Sequence, residues 1–245
     1  MTGVGGAALA VPCLVFLLGF STVEAIATTF PFTAIVKLAG FVQHSKQGTF
    51  DYRVGAALLL GGVPGAVAGV ALLSGLFAEY GDSLEVWVNL CIGVLVLAGA
   101  ALLAVQIKLK RRAIEQEGRW LGPRRWVAGS GLGGALGVVM GATSIGAGTL
   151  MTAPVLLLFR ITPDKVVGTT IGVSLVLMVI GTLGYLSQDL VDWSTVLFMS
   201  LGAAPAVVAG SRLTTRIPER ALVAALAAMM LAASGSLLAK AGLAF

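Results

Sequence analysis

Long apolar stretches alternate with short polar connections along the chain, the pattern of several membrane-spanning helices. Residues 2–18 begin at a glycine turn and continue as a short apolar helix. Ser21-Thr-Val-Glu24 has capping-box spacing and starts a second helix, to about Ser45. Asp51 caps a third segment over about 52–77, and Asp82-Ser-Leu-Glu85 repeats the capping spacing before a fourth over about 84–107. The polar run KLKRRAIEQEGRWLGPRR (108–125) follows, and then Trp126–Phe159, 34 residues without Asp, Glu, Lys or Arg. As one straight helix that run would reach roughly 50 Å, against a hydrocarbon core of about 30 Å. Two full spans would need about 40 residues plus a turn. The run therefore predicts a broken helix or re-entrant hairpin, with the Gly-rich Gly141–Thr149 as the break. Irregular backbone at membrane depth survives only where protein buries it or water reaches it, so the break is a candidate substrate site.

The second half repeats the first at a constant offset of 141 residues. Thr2 matches Thr143, Gly5 matches Gly146, Thr28-Thr29 matches Thr169-Thr170, Asp51 matches Asp192 and Pro64 matches Pro205. An ungapped match over about 70 residues reads as an internal duplication, a common construction of transporters. The units are 1–107, a basic cytoplasmic loop at 108–125, and 126–245. The second unit has an apolar arm, 126–142, that the first lacks. Symmetry implies about 17 further residues before Met1 in the natural protein, or a start that dispenses with the arm.

If each break segment returns to its starting side, loops 44–53, 108–125, 160–165 and 212–220 share one side and carry the Lys and Arg residues. Loops 19–24, 77–85 and 187–192 share the other side and hold Glu24, Glu79, Asp82, Glu85, Asp189 and Asp192 with no Lys or Arg. The positive-inside rule favours this arrangement and gives the two halves inverted topology; Lys240 is its exception. Composition agrees: 58% hydrophobic, 11% charged and a mean hydropathy of +0.99 describe a polytopic membrane protein. The net charge of +5 needs no nucleic-acid partner, because cytoplasmic loops are usually basic. Cys13 and Cys91 read as small buried hydrophobes rather than a disulfide or metal pair. No cleavable signal peptide is expected, since Met1 opens into a glycine turn. Gly129, Gly133, Gly137 and Gly141, and likewise Gly61, Gly65 and Gly69, are spaced for close helix packing.

A polar stripe of Thr29, Thr33, Lys37, Gly40 and His44 shares one face of the second helix. The other half matches it with Thr170, Ser174, Met178, Gly181 and Tyr185, so hydroxyls recur and the charge does not. Pro31 and Gly172 hold matching positions where both helices are expected to be interrupted, and Pro64 and Pro205 are expected to kink the third segments. Lys37 lies well inside a span, at a cost of a few kcal/mol, with no acid at similar depth; an anionic substrate would neutralise it. Snorkelling to the interface is the alternative, and His44 at its helix end serves equally as a cap. Helices that start inside the membrane aim free N–H groups at an anion. Gly3 through Ala8 opens one such helix and Ser144 through Thr149 the other, with Thr2, Thr143, Ser144 and Thr149 adding hydroxyls. Such a donor-rich site with one positive charge suits a small oxyanion. Neither a His/Cys/Asp cluster nor a GxxxxGK loop is present, so the chain does not read as an enzyme, and no cofactor is called for.

With Thr2-Gly-Val-Gly-Gly6, Ala27-Thr-Thr29 followed by Lys37, Gly40, His44 and Gly48-Thr-Phe-Asp51, and Pro64-Gly-Ala-Val-Ala-Gly69, the chain resembles the TauE/SafE family of sulfite and organosulfonate exporters. The second copy carries Thr143-Ser-Ile-Gly-Ala-Gly148, Gly168-Thr-Thr170, Asp192-Trp193 and Pro205. The resemblance implies export of sulfite, or of a short sulfonate such as sulfoacetate, across a bacterial inner membrane. The expected fold is all-α: a bundle of two inverted repeats, each a broken or re-entrant hairpin plus three transmembrane helices. The expected substrate-binding residues are Lys37, Thr2, Gly3, Gly5, Thr28, Thr29, Thr33, His44, Thr143, Ser144, Gly146, Thr149, Thr169, Thr170 and Ser174. The expected partners are the anion and the lipid bilayer, and the glycine faces permit a homodimer. An anion channel, a transporter of another solute, and a membrane sensor or assembly protein are the alternatives.

Overall fold

A computed structural model describes the backbone of residues 7–81, 83–114, 122–145, 149–159, 161–214 and 219–242, and side chains for most of these. The described residues form nine α-helices: α1 (Ala7–Leu17), α2 (Thr22–Lys46), α3 (Tyr52–Tyr80), α4 (Ser83–Ile114), α5 (Pro123–Thr143), α6 (Thr149–Phe159), α7 (Pro163–Leu186), α8 (Trp193–Thr214) and α9 (Glu219–Gly242). Five contain stretches long and apolar enough to cross a membrane: Thr22–Lys46, Tyr52–Tyr80, Ser83–Leu102, Arg124–Thr143 and Pro163–Leu186. Leu60, Trp87, Leu183 and Phe198 point outward from the bundle, as lipid-facing side chains do.

Local chemistry sets the boundaries. Ser21 and Glu24 form the expected capping box on α2, and the Asp51 carboxylate accepts from the backbone N–H groups of Arg53 and Val54 at the start of α3. Asp192 does the same for α8, accepting from Ser194 and Thr195. Bonds from the Ser194 hydroxyl and the Thr195 N–H hold the Asp192 carboxyl below the usual carboxylate range. Asp82 lies outside the described residues; Glu85 instead accepts from the Thr22 N–H at 2.9 Å, while the Thr22 hydroxyl donates to buried Asn89. α4 continues to Ile114, past the expected end, because Lys, Arg, Gln and Leu favour helix and no breaker intervenes.

The overlong apolar run breaks where expected. α5 ends at Thr143, Ser144 takes a left-handed conformation (φ 59°), and α6 begins at Thr149. α6 has 11 residues, about 16 Å of helix and too short to span. It folds back along α5, so that the Phe159 ring lies against Gly129 near the start of α5.

The glycine faces are helix contacts. The Gly133 Cα lies against the Leu58 carbonyl, Gly137 against Gly62 and Gly141 against Ala66, so α3 and α5 run parallel in one constant register. The reverse face repeats it, with Gly61 on Ser130, Gly65 on Gly134 and Gly69 on Val138. A Cβ at any of these positions would overlap backbone, which is why small residues recur there.

Two sequence expectations are corrected. α2 runs unbroken through Pro31 and α7 through Gly172. Gly172 is small because the rings of Phe41 and Phe50 pack against it, and one missing N–H in a packed membrane helix does not open the coil. Cys13 and Cys91 are free but exposed rather than buried, each on the outer face of its helix; a thiol is apolar enough to face lipid.

The offset of 141 carries Thr22 onto the start of α7 and Tyr52 onto the start of α8. Contacts follow the same mapping: α1 packs on α9 as α6 packs on α4, and α2 packs on α8 as α7 packs on α3. At the centre α2 and α7 run antiparallel. The Asp192 N–H donates to the Thr28 hydroxyl (3.1 Å), and the Asp51 N–H donates to the Thr169 hydroxyl (2.9 Å). These two bonds are equivalent under the offset and tie opposite ends of the α2–α7 pair. Loops 44–53 and 161–165 therefore meet at one end, while the starts of α2 and α4 and the loop after α7 meet at the other.

Gly133→Ala and Gly131→Ala form a matched pair on α5. The first places a methyl against the Leu58 carbonyl and the second meets nothing within 4 Å. Gly133→Ala should cost about 1–3 kcal/mol and lower the melting temperature in detergent, whereas Gly131→Ala should not; equal melting temperatures would exclude a close-packed α3–α5 seam. For Asp192, a lowered native pKa means stabilisation present above the unfolded pKa and lost as pH falls through the native value. Asp192→Asn should therefore flatten the acid limb of a melting-temperature profile and leave the alkaline limb unchanged.

Candidate functional site

The polar stripe on α2 faces inward. Thr29, Thr33 and Lys37 are buried, with Lys37 only 7% exposed, and on α7 so are Thr170, Ser174, Met178, Gly181 and Tyr185. Lys37 stands nine residues before the end of α2, about 13 Å along the axis. No ion pair or hydrogen bond joins it to another described residue.

The stripe hydroxyls differ in what they do. Thr29 donates to the Ala25 carbonyl (2.6 Å), Thr170 to Val167 (3.1 Å) and Ser174 to Ile171 (2.9 Å). This back-bonding is the default for Ser and Thr in membrane helices, and the hydroxyl can rotate to another acceptor. Thr33 is the exception: 2% exposed, with an Oγ1 that has no partner. It lies one turn before Lys37, so a buried cation and an unused buried hydroxyl share one face.

Thr28 and Thr169 lie on the same two helices but accept from the capping loops across the α2–α7 pair, as described above. His44 sits at the end of α2 with its Nδ1 3.0 Å from the Thr49 hydroxyl, which in turn donates to the His44 carbonyl. It is fixed into the α2–α3 turn and stands apart from Lys37.

At the break, the Thr143 hydroxyl donates to Val139 and accepts from the Ile145 N–H (3.3 Å). Ser144 is fully buried, and its hydroxyl lies 3.8 Å from the Met178 sulfur. Met178 holds the position in α7 that Lys37 holds in α2. Thr2, Gly3, Gly5 and Gly146 lie outside the described residues, as does the Thr149 side chain. Sequence reasoning missed the role of Tyr185. Fully buried, it donates to the Gly141 carbonyl at 3.0 Å and stacks near Phe30, with ring centroids 5.2 Å apart. It was visible only as the counterpart of His44. Among the described residues no group of His, Cys, Asp and Glu could hold a metal ion.

Buried hydroxyls, an intramembrane lysine with no partner among the described residues and a mid-chain helix break define a polytopic transport protein. The model of the sulfite exporter TauE/SafE family matches residues 1–237, and the chain belongs to that family. It is similar to three probable membrane transporter proteins of Bacillus subtilis (strain 168). YjnA is 29% identical over 94% of this chain and 91% of its own length, and YdhB is 26% identical over 91% and 88%. YunE is 26% identical over 83% and 78%. No solved structure matches. The protein is a multi-pass membrane transporter rather than an enzyme.

Tyr185→Phe removes the hydroxyl that satisfies Gly141 at the end of α5. The expected cost is about 1–3 kcal/mol, read as a lower melting temperature and faster backbone hydrogen exchange around 141–145. Unchanged exchange there would show that Tyr185 does not hold the break.

Proposed function

We propose that the protein exports a small sulfur oxyanion, sulfite or a short organosulfonate such as sulfoacetate, by alternating access of two inverted repeats around Lys37. The observation that carries this reading is buried Lys37 with no acidic partner among the described residues, one turn from the unused Thr33 hydroxyl. An ammonium at that depth needs a counter-charge, and an anion that comes and goes supplies it. The Ser144–Met178 contact adds support: in the second copy, Lys37's position is next to the break. By the 141-residue offset, we pair Lys37 with the first Gly-rich stretch, Thr2–Ala8.

In this reading Lys37 carries the charge and Thr33, Thr29, Thr170, Ser174, Thr143, Ser144 and Thr149 supply donors. Backbone N–H groups at Gly3, Gly5 and Gly146 complete the cradle, and Thr2 and His44 line its approaches. Thr28 and Thr169 hold the loops that close its two ends. The repeats are 1–107 and 126–245, inverted about α2 and α7, and the reciprocal Thr28–Asp192 and Thr169–Asp51 bonds are what support that symmetry. The end that carries the basic loops is cytoplasmic.

Lys37→Ala should lower sulfite or sulfoacetate efflux from proteoliposomes about tenfold or more, the weight of a hydrogen bond to a charged group. Wild-type efflux in that variant would remove Lys37 from the mechanism. A binding panel of sulfite, sulfate, thiosulfate, sulfoacetate, isethionate and taurine identifies the cargo, and no saturable binding to any of them would overturn the sulfur-anion reading. Flux that follows only the anion's own gradient in every condition would mark a channel.

A further inference from the structure

Among the described residues, two buried side-chain oxygens lack a hydrogen-bond partner: Thr33 Oγ1 on α2 and Ser200 Oγ on α8. Leaving such a group unsatisfied costs about 1–3 kcal/mol, and both had an inexpensive alternative. Neighbouring helix hydroxyls take it: Ser74, Thr143, Thr182 and Ser234 all donate to their own helix's carbonyls one turn back. Thr33 and Ser200 do not.

The two helices that carry them share one seam. α2 and α8 pack through Phe32 and Val36 on one side and Val196, Met199 and Ala203 on the other. Thr33 follows Phe32, and Ser200 lies one turn after Val196 on the contact face of α8. α8 held no candidate in the sequence reading. Its hydroxyl has no counterpart in the first copy, where the offset gives Leu59. An unduplicated hydroxyl on α8 and an unduplicated lysine on α2, two helices that pack together, fit a site that is asymmetric although the fold around it is not.

We propose that Ser200 is a substrate-positioning residue, donating with Thr33 and Lys37 to the three oxygens of a sulfite or sulfonate head group held between α2 and α8. The inference rests on the Lys37 site proposed above and adds α8 to it.

The test uses the purified full chain with sulfite and methanesulfonate as probes. Ser200→Ala should weaken binding of both about tenfold, while the melting temperature without anion stays equal or rises, because an unsatisfied buried group is removed. Ser200→Cys, close in shape but a weak donor, should lose affinity in the same way. Affinity within twofold of wild type in both variants would overturn the proposal, and so would a loss of affinity that tracks a fall in the anion-free melting temperature. Lys37→Ala run in parallel separates the two claims. Unchanged binding there overturns the Lys37 site and this inference with it, whereas loss there beside unchanged binding in Ser200→Ala and Ser200→Cys overturns only Ser200's part.

Discussion

Backbone polar groups inside a bilayer must find partners within the protein, and this constraint shapes the irregular points among the described residues. Between α5 and α6 the helical ladder stops inside the apolar run. Tyr185 takes up the Gly141 carbonyl, and Thr143 takes up the Ile145 N–H. Where α2 and α7 hand over to their following helices, the N–H groups of Asp51 and Asp192 are satisfied by Thr169 and Thr28 across the pair. At these points the tie is a hydroxyl, from α5 itself at Thr143 and from a facing helix at Tyr185, Thr169 and Thr28. The ties also set geometry, because a bond from the end of one helix to the start of the other fixes the antiparallel run of α2 and α7.

Glycine does the complementary work on the outer pair. Lipid supplies no hydrophobic drive for helices to associate, so contact depends on close van der Waals approach. α3 and α5 obtain it by removing side chains along two parallel ridges, Gly61–Gly65–Gly69 and Gly133–Gly137–Gly141. α5 carries the break at its end, so this rigid seam is also what positions Ser144. The same logic explains Gly168 against Thr49 and Gly181 beneath Phe30.

Against that background Lys37 and Thr33 stand out. Elsewhere, buried polar groups such as Asn89, Thr22 and Tyr185 are satisfied within the protein. A charge and a hydroxyl on one face, with no partner among the described residues, mark a place where the bonding of the described helices is incomplete.

The sequence by itself determined the helical class, the capping residues Ser21 and Asp51, the break at Gly141–Thr149, the glycine seams and the burial of the Lys37 stripe. These depend on periodicity, length and local hydrogen bonding, which neighbouring residues carry. Tertiary structure decided the rest. Pro31 and Gly172 looked like breakers, yet α2 and α7 pass through them, and at Gly172 the reason for a small residue is the packing of Phe41 and Phe50, a long-range fact. Cys13 and Cys91 sat in apolar runs, but only the bundle shows that their helix faces point outward. Thr28 and Thr169 looked like donors for cargo, and only the crossing of α2 and α7 brings each to the other half's capping loop. Ser200 was invisible for the same reason. A hydroxyl's meaning depends on whether a partner stands opposite, and that is settled by how helices pack, not by the residues beside it in the chain.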